Sequence, residues 1–207
     1  MRLCTLLVMA VGLGIAAQPP KMDTSPAATT SKVKDEKLRQ ELLRRMQADQ
    51  QARKPILSNA GFKRLMKIDQ ENTDRMKEIV KQFGWPGKSL VGTDGANAAW
   101  LLVQHADRDL PFQKQCLALL QAAVNKGEAT GRELAYLTDR VRTGEKKKQV
   151  YGTQLQLVDG KLQPCPIEDE ANVDKRRKEV GLSSLADYLK SAQEFLGKGA
   201  NSKAGTK

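Results

Sequence analysis

Apolar positions recur at helical spacing through most of this chain. Between Lys34 and Gln51, Leu38, Leu42, Leu43 and Met46 share one face of a charged amphipathic helix, expected to pack across the main domain. Asn72 or Thr73 is placed to cap a helix reaching about Phe83, with Met76, Ile79, Val80 and Phe83 inward. Gly84-Trp85-Pro86-Gly87 stops it, because proline disfavours helix in the residue before it and glycine relaxes the turn. From Ala96 to about Asp107 the chain is apolar nearly throughout, which predicts a buried helix whose alanines permit close packing. Pro111 suits the first turn of the next helix, with Phe112, Cys116, Leu119, Leu120 and Ala123 as its core stripe and Gly127 at its end. Thr130-Gly131-Arg132-Glu133 then has capping-box spacing, ahead of Leu134, Leu137 and Val141.

Beyond Gly144 the period changes. Tyr151 to Val158 suggests a strand, Asp159-Gly160 is a strong hairpin turn, and Lys161-Leu162-Gln163 returns. A basic helix begins at Asn172 or Val173 and stops near Gly181, and Ser184-Leu185-Ala186-Asp187 can cap a last short helix. The fold class is mainly α, a compact helical domain with a small antiparallel β-hairpin, with α+β as the alternative.

The ends read differently. Met1-Arg2, the apolar run Leu3 to Ile15 and Ala16-Ala17-Gln18 have the form of a signal peptide over residues 1–17, too short a run for an ordinary membrane span. Residues 18–32 are rich in Pro, Ala, Ser and Thr and read as a flexible leader, 33–196 as a single helical domain, and 197–207 as a disordered tail. The expected location is periplasmic or secreted, with no membrane span after signal cleavage. Cys116 and Cys165 would then be the cysteines left, enough for one disulfide or two free thiols.

The formal charge is +11. Much of it is local, in Arg44-Arg45, Lys146-Lys147-Lys148, Lys175-Arg176-Arg177-Lys178 and the tail lysines. A basic surface favours an anionic cell-envelope component, and a small polar ligand is the other partner class considered. No aromatic residues interleave with the basic runs, so nucleic acid is not favoured.

His105 is the one histidine, and it ends the apolar run together with Gln104, Asp107 and Asp109. Histidine alone titrates near working pH without perturbation. If the helix continues through Asp109, that carboxylate lies one turn from His105 and can orient the imidazole for general acid or base work. Asp107 lies off that face and can meet Arg140, whose planar donor fork suits an anion or carboxylate. Gln104, Tyr151 and Gln154 are candidate neutral hydrogen-bonding groups, and Trp85 and Trp100 candidate apolar walls. Each has a structural alternative. His105 can bond at a helix end, Asp109 can cap the helix containing Pro111, and Asp139-Arg140 can be an ion pair. Trp100 can be core, and Tyr151-Gly152-Thr153-Gln154 can simply open the hairpin.

A set of ordered motifs goes further: Asp69-Gln70-Glu71-Asn72, Gly84-Trp85-Pro86, Val91-Gly92, Ala98 to Asp107, Phe112-Gln113, Ala135 to Val141, Tyr151-Gly152-Thr153-Gln154 and Pro166-Ile167-Glu168-Asp169. Val173 to Arg177 and Gly181-Leu182 continue it. Together they resemble the bacterial domain of unknown function 6624 family over about residues 69–188. That resemblance implies a domain identity and no activity.

Common chemistries fit poorly. There is no Gly-x-Ser-x-Gly elbow, no Gly-rich phosphate loop and no CxxC pair. His105, Asp107 and Asp109 with Glu168 or Asp169 make a weak hard-metal pattern, so no metal ligands are assigned and the cofactor stays open. The expectation is an exported protein with a polar pocket centred on His105, hydrolytic or lytic toward an envelope substrate. The alternative is a noncatalytic envelope ligand-binding or protein-interaction module.

Overall fold

The computed structural model describes residues 33–53 and 58–201. The expected signal peptide and leader, and residues 202–207 of the expected tail, lie outside the described residues. The element order is α1 (Glu36–Ala52), α2 (Asn59–Phe83), α3 (Lys88–Gln104), α4 (Leu110–Asn125), α5 (Gly131–Gly144), β1 (Leu155–Val158), β2 (Lys161–Pro164), a short 3-10 turn (Glu170–Asn172), α6 (Val173–Glu179) and α7 (Leu185–Asn201). The fold is thus mainly α with one small antiparallel hairpin.

Helix α3 is the axis of the domain. Every residue from Ala98 to Gln104 is buried, and α1, α2, α4 and α5 all pack on it. Its start is bent at Gly92, whose φ of 74° favours glycine. Helix α1 lies along α3 with Leu38 and Leu42 buried and the Arg39 guanidinium forked onto Asp94 (Nε to Oδ1, 2.8 Å). Burying a leucine side chain contributes roughly 1.5–3 kcal/mol, so this seam is a main support of α1.

Several ends form as their side chains dictate. Asp109 caps α4, with Pro111 in the first turn. The Thr130 and Glu133 capping box opens α5. The hairpin turns at Asp159-Gly160, both with positive φ, and pairs Leu155 with Pro164 through Val158 with Lys161.

Phe83, expected inward, is exposed at the end of α2, and three further expectations change. Helix α2 begins at Asn59, so Asn72 and Thr73 are buried inside it and cap nothing. Thr73 satisfies its hydroxyl on the Asp69 carbonyl one turn back, and Asn72 accepts from Arg45. The strand starts at Leu155, because the main-chain N–H groups of Tyr151 and Thr153 donate to the Asp139 carboxylate instead. Helix α7 continues past Gly197 to Asn201. Cys116 and Cys165 form no disulfide with each other, and Cys116 is buried.

Candidate functional site

Helix α3 ends at Gln104, and His105 is its C-cap residue. The chain therefore leaves the helix before Asp109, and the one-turn relation between His105 and Asp109 does not form. The Asp109 carboxylate accepts from the Phe112 N–H at 3.0 Å and pairs with Lys77 at 2.5 Å. It stands at the rim of the same cavity as His105 without orienting the ring.

The carboxylate that does orient the ring is Asp49, from α1. Its Oδ1 and Oδ2 lie 3.0 and 2.9 Å from His105 Nδ1. Asp49 is fully buried, and the His105 side chain is 9% exposed. The Arg53 guanidinium, one turn further along α1, binds Asp49 through Nε and a terminal nitrogen (3.1 and 2.9 Å) and also reaches Asp69 on α2. Gln50 adds a donor to Asp49 Oδ2 at 2.9 Å. Three elements thus converge: α1 brings Asp49 and, at its C-cap, Arg53; α2 brings Asp69; and the end of α3 brings His105.

Burial pushes the His105 imidazolium down from its ordinary pKa, against the pull of Asp49. Burial also opposes charge on Asp49, but the hydrogen bonds from His105 and Arg53 prevail and hold it well below the usual carboxylate range. An ionised carboxylate only accepts, so the shared proton belongs on Nδ1. The ring is then neutral at working pH, with the Nε2 lone pair left over. Among the described residues Nε2 makes no hydrogen bond.

Asp69 behaves differently. Burial pushes its carboxyl up to about 7. Arg53 opposes this but is shared with Asp49, whose own negative charge works against a second one nearby.

Of these groups His105 and Asp69 line a cavity of about 50 Å³, together with Gln70, Thr73, Ala106, Arg108 and Asp109. A space that size holds a few waters and excludes a drug-sized ligand. A larger open groove of about 650 Å³ runs between α1 and the end of α2, but its walls carry the paired Glu41 and Arg75 and it does not include His105.

The remaining candidates fall into two groups. Asp107 and Arg140 pair at 3.3 Å beside the His105 turn. Gln104 is buried under it, and neither its Oε1 nor Arg140 Nε has a hydrogen-bond partner among the described residues. Gln113 of α4 stitches this turn together by donating to the carbonyls of Val103 and Gln104 (3.1 and 3.3 Å). Tyr151, Gln154 and Trp85 do not line the His105 cavity. Tyr151 and Gln154 belong to the loop held by Asp139 and Gln149. Trp100 is core: its Nε1 donates to the Glu133 carbonyl at 2.9 Å and its ring meets Tyr136 edge-on.

Asp49, Arg53 and Asp69 are the residues that sequence reasoning missed, although each carried a signal. Asp49 lies seven residues after Leu42 on the buried stripe of α1, and Asp69 four after Leu65 on that of α2. A charged group on an apolar stripe calls for a buried partner.

Residues 36–199 match a family described as a family of unknown function (DUF6624). The chain belongs to the DUF6624 family. The match takes in α1 as well as the later motifs, so the helix bearing Asp49 and Arg53 is part of the family domain. No curated protein and no solved structure matches the chain. No helix among the described residues of this DUF6624 domain is long and apolar enough to cross a membrane. Among the same residues, no group of three or more His, Cys, Asp or Glu side chains is placed to hold a metal ion.

Proposed function

We propose that this DUF6624 protein is an exported hydrolytic or lytic enzyme of the cell envelope, with His105 as its general base. The observation that carries this is the Asp49–His105 pair. A buried carboxylate accepts from Nδ1–H and leaves the Nε2 lone pair over, on a ring that lines a water-sized cavity. A neutral, oriented imidazole is the usual form of a protein general base. The small cavity suits activation of a water, with the body of the substrate lying across the surface. Such a substrate fits a polymer better than a metabolite needing enclosure. The formal charge of +11 favours an anionic polymer. Export rests on the amino-terminal apolar run.

The test compares the purified chain with H105N on isolated envelope polymers and on simple ester, amide and glycoside probes. The expected result is turnover that falls about 100-fold or more in H105N, in line with general-base contributions, at a nearly unchanged Tm. Turnover that survives H105N contradicts the reading. A second reading, a noncatalytic binding module, is favoured by the unpartnered Gln104 Oε1 and Arg140 Nε. It expects polymer binding that H105N weakens, with no turnover by either protein.

A further inference from the structure

We propose that Asp69 is the second proton-transfer group of this site, holding a proton for a leaving atom while His105 Nε2 stands ready to take one from water. The inference deepens the general-base reading and rests on it. Asp69 and His105 come from different elements, α2 and the end of α3, yet line the same cavity. The imidazole is more than nine-tenths buried, and its second nitrogen has no partner among the described residues.

The surroundings favour one negative charge here over two. From α1, Arg53 is shared between Asp49 and Asp69, so one guanidinium faces two carboxyl groups. From the turn after α3 come His105 itself, Asp107 and Arg108, and from the start of α4 comes Asp109. Asp109 is already neutralised by Lys77 of α2, and Asp107 by Arg140 of α5. Asp49 keeps its charge because it has three donors: Arg53, Gln50 and His105. Asp69 has Arg53 alone among side-chain donors, and buried carboxyl groups with few donors retain their protons. Its raised pKa agrees with this placement.

Two titratable groups pushed to opposite protonation states are the arrangement acid–base chemistry requires. In a hydrolysis, Nε2 takes a proton from water as the water oxygen bonds to the electrophilic atom. The bond to the leaving atom breaks, and that atom takes the Asp69 proton. The proton on Nε2 then returns to the Asp69 carboxylate through cavity water, restoring the starting state with one water consumed. No other reactant is needed.

Two measurements on the full chain test this. The first is carboxyl carbon-13 NMR, with the Asp69 signal assigned by its loss in D69N. The expected midpoint is near pH 7, and a midpoint below about pH 5 overturns the inference, because Asp69 would then have no proton to give at working pH. The second is the nitrogen-15 shift of His105 Nε2 against pH, which in this chain reports one ring alone. The expected shift is that of a bare nitrogen at pH 7, with an inflection near pH 7 that D69N removes and D69E keeps. An inflection that survives in D69N overturns the pairing while leaving the general-base reading intact. A proton on Nε2 at pH 7 overturns the general-base reading itself, and the pairing with it. Circular dichroism on both variants keeps misfolding separate from these outcomes.

Discussion

Asp49 Oδ2 lies 2.9 Å from His105 Nδ1, across 56 residues of chain. The contact places a fully buried carboxylate, supplied by the first described helix, against the ring that ends the central one. It makes α1 a part of the candidate site as well as of the core. Truncating one partner of a buried charged pair strands the others. In D49A, Arg53 and His105 lose their shared acceptor, and a stability loss of about 3–5 kcal/mol is expected. Urea unfolding at pH 7 measures it, and a loss under about 1 kcal/mol would be at odds with a buried, shared carboxylate.

The pH dependence of stability should split between Asp69 and His105. Between its ordinary 3.8 and about 7, native Asp69 holds a proton that the unfolded chain has lost. Its contribution is complete below pH 3.8 and disappears as pH rises through about 7. His105 has the opposite sign, because its native pKa is lowered from 6.5. Below 6.5 the unfolded chain takes up a proton that the native ring refuses, so this contribution grows with pH up to about 6.5. Each slope is at most about 1.4 kcal/mol per pH unit. Relative to the wild type, D69N should therefore gain stability as pH rises toward 6.5, and H105Q should lose it. Asp139, whose carboxyl burial also pushes up, is common to all three proteins and cancels in the comparison. Parallel curves for the three would contradict the assignment.

Asp139 organises the loop that precedes the hairpin. Its carboxylate accepts from the N–H groups of Val150, Tyr151 and Thr153 (2.7, 3.1 and 2.9 Å) and from the Thr153 hydroxyl (2.9 Å). D139A strands those donors, each costing about 1–3 kcal/mol where it stays buried. The expected loss is about 3–5 kcal/mol after local relaxation. Amide hydrogen exchange should quicken first at residues 150, 151 and 153. Unchanged exchange at those amides would show that the loop is held by something else.

Gly95 sets how closely α1 can approach α3. A Cβ there would lie 2.9 Å from Val91 Cβ and 3.2 Å from Arg39 Cγ. In an open helix, Gly to Ala gains up to about 1 kcal/mol. Here the fully buried Val91 cannot swing away, and overpacking of this kind costs about 1–3 kcal/mol. G95A is expected to lower stability and to loosen the Asp49–His105 contact, seen as faster diethyl pyrocarbonate modification of His105. A stabilised G95A would mean that the seam has slack.

Much of the fold was legible because its signals are local. The capping box at Thr130, the proline after Asp109 and the Asp159-Gly160 turn each fix their own element within a few residues. The beginning of α2 was not, because Asn72 and Thr73 have the side chains of helix caps. Only the contacts of Arg45 with Asn72 and of Thr73 with the Asp69 carbonyl show that they sit mid-helix. The site was half legible. His105 stood out by composition and Asp107–Arg140 by spacing. The oriented pair itself depends on where α1 docks, which no local pattern states. Reading Asp109 as the orienting group required the helix to continue past His105, and the C-cap there ends it.

The central claim is the protonation of one ring: neutral His105, with its proton on Nδ1 toward Asp49 and Nε2 bare. Long-range nitrogen-15 correlation NMR measures it without assignment ambiguity, since His105 is the one histidine in the chain. At pH 7 the expected spectrum has one protonated, pyrrole-like nitrogen and one bare, pyridine-like nitrogen, with the proton on Nδ1. An imidazolium signature at pH 7, or a proton on Nε2, would contradict it.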